Sequence, residues 1–125
     1  MTFSLRLYFI FYLLSAPIYA ATFFIDAING NDSACGTTEE SPWRTLARVQ
    51  KTQLVAGDQV LLKSGQIFSG QFYTDQSGNP GKPITLSAYG IGPKPIIASE
   101  GKFRAAVHLD NAQCWIVEGI EITNK

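Results

Sequence analysis

Two interleaved series of short apolar segments recur along this chain with a period of roughly two dozen positions. Val60, Ile84 and Val107 open one series, at intervals of 24 and 23; Phe72, Ile96 and Ile120 open the other, at 24 and 24. Strands and turns fill each period, with no helical stripe inside it. A repeat of that length marks a solenoid. One winding of such a chain cannot bury its own apolar face, so each winding depends on its neighbour. The repeat predicts an all-β chain coiled as a parallel β-helix. Alternation within the segments places Val60 and Leu62, Ile84, Leu86 and Ala88, Val107 and Leu109, and Ile120 and Ile122 inside. It places Thr85, Ser87, Tyr89, His108, Asp110, Glu121 and Thr123 outside. Equivalent residues such as Leu86 and Leu109 are expected to stack in one interior column. Turn clusters at 77–81, 90–93 and 110–111 separate the strands.

Positions 1–20 stand outside this pattern. A weakly positive start, Met1 to Arg6, leads into the apolar run Leu7 to Leu14, then Ser15-Ala16-Pro17 and Ile18-Tyr19-Ala20. That order is a secretory signal peptide, with cleavage expected after Ala20 and Ala21 as the next choice. Eight apolar residues are too few to span a bilayer, which takes about 20. Loss of Arg6, one of ten basic residues against ten acidic ones, leaves a net charge near minus one. That balance gives no basic excess to hold nucleic acid. The expected product is secreted or periplasmic and has no membrane association once the signal is removed.

Three segments follow: signal peptide 1–20, an N-terminal strand, loop and capping helix over 21–57, and the first turns of the coil over 58–125. Thr22 to Asp26 reads as the opening strand, closed by the turn formers Asn29-Gly30-Asn31-Asp32. The one good helix signal comes next, with Ser41 as N-cap and Pro42 at the first helical position. Trp43, Leu46, Val49 and Leu54 form its apolar stripe. Such a helix would cover the exposed end of the coil, where Trp43 and Leu46 are expected to be buried. No second cap follows Ile122, so the coil is expected to be incomplete at its C-terminal end, with further turns of its own chain as partner. Cys35 and Cys114 lie far apart in sequence, which says nothing of their distance in space. Export permits a disulfide between them, and two free, partly buried thiols are the other reading.

The residues Phe24-Ile25-Asp26, Gly30-Asn31-Asp32, Gly36-Thr37, Pro42-Trp43-Arg44-Thr45-Leu46 and Gly57-Asp58-Gln59-Val60-Leu61-Leu62 resemble the start of right-handed parallel β-helix proteins of the pectate-lyase-like superfamily. Gly81-Lys82-Pro83-Ile84-Thr85, Ala88-Tyr89-Gly90, Lys94-Pro95-Ile96-Ile97 and the stretch from Ala106 to Asn124 look like its early turns. The resemblance implies a right-handed coil and an exported protein acting on polysaccharide, acidic polysaccharide included, as a lyase or a glycosidase. It also implies that the reactive groups lie on central turns beyond this segment, with calcium as a cofactor of the full-length protein. A noncatalytic, glycan-binding or adhesive surface β-helix is the alternative, because the same opening precedes proteins of several activities.

β-Elimination needs a cation or Arg against the uronate carboxylate and a base near the C5 proton. The outward candidates are His108 and Asp110, two apart on one strand and so on one face, where an imidazole and a carboxylate would form an acid–base pair. Solvated polar side chains on a coil explain them as well. Asn29, Asn31, Asp32, Glu39 and Glu40 lack the ligand order of a calcium loop. Tyr73, Tyr89 and Trp115 can stack on sugars or serve as packing residues. The segment contains no GxSxG, metal-type His pair or phosphate loop, and no catalytic residue or metal ligand is assigned in it. On this reading the segment by itself has no lyase activity.

Overall fold

The computed structural model describes residues 19–125. The expected signal peptide lies outside the described residues except for Tyr19 and Ala20. Among the described residues, no helix is long and apolar enough to cross a membrane. Nine strands and one short helix follow in order: β1 Thr22–Ile25, α1 Leu46–Gln50, β2 Gln59–Lys63, β3 Ile67–Ser69, β4 Phe72–Thr74, β5 Ile84–Tyr89, β6 Ile96–Ala98, β7 Val107–Leu109, β8 Trp115–Val117 and β9 Glu121–Thr123. They form three parallel sheets with orders β1-β2-β5-β8, β3-β6-β9 and β4-β7. From β2 onward the chain visits the first, second and third sheets in turn and then repeats the circuit. The fold is all-β and parallel.

Register shows what stacks on what. Phe23, Val60, Leu86 and Val117 form one inward column of the first sheet, and Phe68, Ile97 and Ile122 form one of the second. The third sheet pairs Phe72 with Val107 and Thr74 with Leu109. Two strand series therefore give way to three sheets: Val107 belongs with Phe72, not with Val60 and Ile84. Leu109 stacks on Thr74, so the expected Leu86–Leu109 column does not form. The physical reason is that the corners differ in length while the ladders hold register. Of the circuits that start from β2, β3 and β4, that from Val60 to Leu86 is the shortest, that from Phe68 to Ile97 is longer, and that from Phe72 to Val107 is the longest. An averaged spacing blurs these offsets and hides the short strands β3 and β8. Inward burial otherwise follows the alternation: Val60, Leu62, Ile84 and Leu86 are fully buried.

The helix begins later than Ser41 and Pro42 predict. Its N-cap is Thr45, whose hydroxyl accepts a hydrogen bond from the Arg48 amide, and it spans only five residues. Pro42 and Trp43 precede it because the backbone of Trp43 is bonded elsewhere. The Trp43 N–H donates to the Phe24 carbonyl at 2.9 Å, and its carbonyl accepts from the Asp26 N–H at 2.8 Å. Trp43 thus forms a parallel bridge to Ile25, an added rung outside β1. An amide cannot serve both that bridge and a helix. Trp43 and Leu46 are both buried, and the Trp43 ring stacks on Phe23 with centroids 4.8 Å apart. Gly36 has φ +74°, and a Cβ there would enter the Trp43 ring; glycine satisfies both the backbone and the close approach. The first sheet is therefore closed by β1 and Trp43, while α1 packs toward β4.

Candidate functional site

His108 and Asp110 lie where the alternation places them, on the solvent side of the third sheet. The β4–β7 register sets Tyr73 directly beside His108. Their rings meet edge to face at 5.3 Å between centroids. Asp110 does not pair with His108. Its Oδ2 instead accepts a hydrogen bond from the Tyr73 hydroxyl at 2.9 Å, one rung away. That bond, desolvation and the charges of Asp110 and Asp75 push the Tyr73 phenol above its ordinary pKa. Asp75 is occupied in turn, accepting from Gln76 Nε2 at 2.8 Å. The face therefore carries a phenol–carboxylate pair with an adjacent imidazole. It can offer hydrogen bonds to hydroxyl groups, but His108 and Asp110 do not form the acid–base pair their spacing implies. Tyr73 was visible in sequence only as an aromatic residue; its partnership with Asp110 depends on the long circuit between β4 and β7.

The carboxylates of the N-terminal loop have structural work. Asp32 Oδ1 accepts from the Arg44 and Thr45 amides at 2.8 and 3.0 Å, and Oδ2 accepts from the Thr45 hydroxyl at 2.7 Å. Burial raises its carboxyl pKa, but these bonds and the Arg48 charge outweigh that and hold it below the usual range. Asp26 is only 3% exposed. It accepts from the Ile28 and Asn29 amides at 3.0 and 2.9 Å, from Gln66 Nε2 at 2.8 Å and from Lys63 Nζ at 3.1 Å. Burial alone would raise its pKa, yet the four donors drive it far below the usual carboxylate range. Asp26 thereby ties the end of β1 to the corner between β2 and β3. Asp58, also buried, accepts from the Ala21 and Val55 amides at 2.7 and 2.9 Å. Among the described residues, no group of three His, Cys, Asp or Glu side chains converges to hold a metal ion.

Cys35 and Cys114 are free thiols, so the disulfide does not form in this structure. Cys35 lies in the exposed N-terminal loop, and Cys114 sits before β8 with its carbonyl accepting from the Ile84 amide at 3.0 Å. The aromatic candidates are largely packing residues. Trp115 Nε1 donates to the Gln76 carbonyl at 2.8 Å, and its ring lies against Phe72. Tyr89, expected outside, is half-buried, with its ring against Phe24. Its hydroxyl is buried without a hydrogen-bond partner. Desolvation, with the Asp26 and Glu39 charges, pushes that phenol up to about 12.

Three parallel sheets visited in cyclic order, the first of them closed at its N-terminal end by β1 and Trp43, define a stacked-strand protein. Similarities to known proteins fall in the same class. The chain is 41% identical over 86 residues, 64% of its length, to the lacto-N-biosidase of Bifidobacterium longum subsp. longum, and spans 5% of that protein. It superposes on the crystal structure of the GH136 lacto-N-biosidase from Eubacterium ramulus with a TM-score of 0.78 and 31% identity, covering 84% of this chain and 20% of that one. A rhamnogalacturonan lyase structure matches with a TM-score of 0.64 and 24% identity over 82% of this chain and 28% of that one, a likeness of fold. No family model matches the chain.

Proposed function

We propose that this chain is the opening segment of an exported glycosidase built as a right-handed parallel β-helix of the pectate-lyase-like type, with 1–20 as its signal, 21–57 as its cap and 58–125 as its first turns. The observation that carries this reading is the 41% identity to a lacto-N-biosidase, joined by the 31% identity across a superposed structure. The cyclic order of the sheets supports the helical coil. The lyase likeness carries the fold alone, so hydrolysis is favoured over β-elimination. Glycoside hydrolysis takes two carboxylates flanking the scissile bond. On this proposal they come from turns outside this segment, since Asp26, Asp32 and Asp58 are spent on backbone amides and Asp110 on Tyr73. The second reading, a noncatalytic glycan binder, draws on the outer face of Tyr73, His108 and Asp110, whose polar groups remain at the surface.

The test is to incubate the protein, at the length in which cells export it, with neutral and acidic oligosaccharides, with calcium and with a chelator. New reducing ends without ultraviolet-absorbing products support the glycosidase. Calcium-dependent absorbance from unsaturated uronates would replace it with a lyase. Saturable binding with no product would establish the binder instead.

A further inference from the structure

The N-terminal end of the second sheet is left open. In the β3–β6 ladder the Gln66 carbonyl accepts from the Ile96 amide at 3.0 Å, and the Gly70 amide donates to the Ala98 carbonyl at 2.9 Å. With the register Ile67↔Ile96 and Ser69↔Ala98, that pattern turns the amides and carbonyls of Ile67 and Ser69 away from β6. Among the described residues, none of these four groups has a backbone or side-chain partner. They face a trough of about 220 Å³ whose opposite wall is Arg44, Thr45 and Leu46. A second cavity of about 300 Å³ adjoins it and carries the trough past Gly70 to Phe103. Ile67 is 61% exposed and Phe103 42% exposed. The Arg44 guanidinium has no hydrogen bond or ion pair among the described residues, although its own amide is held by Asp32.

We propose that the free edge of β3 receives an extended acidic peptide segment, which adds a strand to the second sheet and pairs a carboxylate with Arg44. Two N–H and two C=O groups, repeating every second residue at about 6.6 Å, match another main chain in a way that a sugar's hydroxyls do not. Strand addition of this kind takes its affinity from main-chain bonds and its selectivity from alternate side chains. Ile67 supplies a cross-strand apolar neighbour, and Arg44 sets the sign of the charge. So short an edge makes the site weak, as edges protected from aggregation are.

The probe is the blocked hexapeptide Thr-Val-Glu-Val-Glu-Thr, titrated into the isotope-labelled chain while backbone amides are followed by NMR. Saturable shifts of the Ile67 and Ser69 amides are expected. Arg44→Glu, an exposed position, should weaken binding at least 5-fold and should favour the same peptide with Lys in place of Glu. A peptide with Pro in place of the second Val should bind at least 5-fold more weakly. The proposal is overturned if those amides stay still at millimolar peptide, or if shifts appear only at Trp115, Val117 and Ile122, whose amides face the open edges of β8 and β9. It is also overturned if the charge swap has no effect, or if a neutral oligosaccharide, and not the peptide, moves Ile67 and Ser69.

Discussion

The two ends of the stack treat equivalent inward positions differently. Toward the N-terminus, Val60 and Leu86 are fully buried beneath β1, and Phe68 and Ile97 are nearly so. At the other end, the same columns finish on Val117 and Ile122, which are 38% and 49% exposed. Residue type and alternation are alike at both ends; what differs is whether another part of the chain lies above, β1 over Val60 in the first sheet and the segment carrying Leu46 beside Phe68 in the second. Burial in this fold is a property of a column and not of a strand, as expected where each repeat contacts only its neighbours. In the first sheet Trp43 supplies a further rung outside β1, with Phe23 stacked on its ring and Arg48 lying 4.1 Å from its centre.

The largest expected effect comes from removing that rung. Trp43→Ala should cost about 3–5 kcal/mol in urea unfolding, and a loss under about 1 kcal/mol would show that β1 closes the sheet unaided. Next, Leu86→Ala should cost about 2–5 kcal/mol, whereas Ile122→Ala should cost less than about 1 kcal/mol. Equal losses would end the column argument. Asp26→Ala should cost about 2 kcal/mol at neutral pH by stranding its donors. The sign of the acid response follows from its depressed carboxyl pKa. The folded state binds fewer protons than the unfolded chain, so the contribution is whole above the unfolded value near 4 and fades as pH falls below it. Asp26→Asn should flatten the stability curve between about pH 5 and pH 2, and an unchanged acid slope would remove Asp26 from this role. The smallest effect is at the helix: Thr45→Ala should cost about 1 kcal/mol, read from the shift in urea midpoint.

Period-two alternation made β2 and β5 legible, because five or six residues are enough to show it and both inner faces are full of branched apolar side chains. β3 has three residues with only Phe68 facing in, too few to establish a period. The burial of Trp43 was legible from its size and neighbours, but its conformation was not. Ser41-Pro42 is a sound local helix start, overruled by a bridge that Trp43 makes to Ile25, well back along the chain. The Tyr73–Asp110 bond and the open edge of β3 were illegible for a related reason. Both depend on which strands become neighbours, and unequal corners set that pairing. His108 and Asp110 could be placed on one face from their spacing, but Asp110's choice of partner could not.

Those unequal corners have a consequence for how such a molecule can change. The ladders keep rungs in step while the segments between them absorb extra residues, as at 90–94 and 100–105, outside the core. Lengthening a flexible connection is cheap, about 0.6 kcal/mol for each doubling, whereas a one-residue slip in a ladder would turn an entire apolar row to water. New surface, and with it new recognition, can therefore accumulate at the corners of this fold while its interior stays the same.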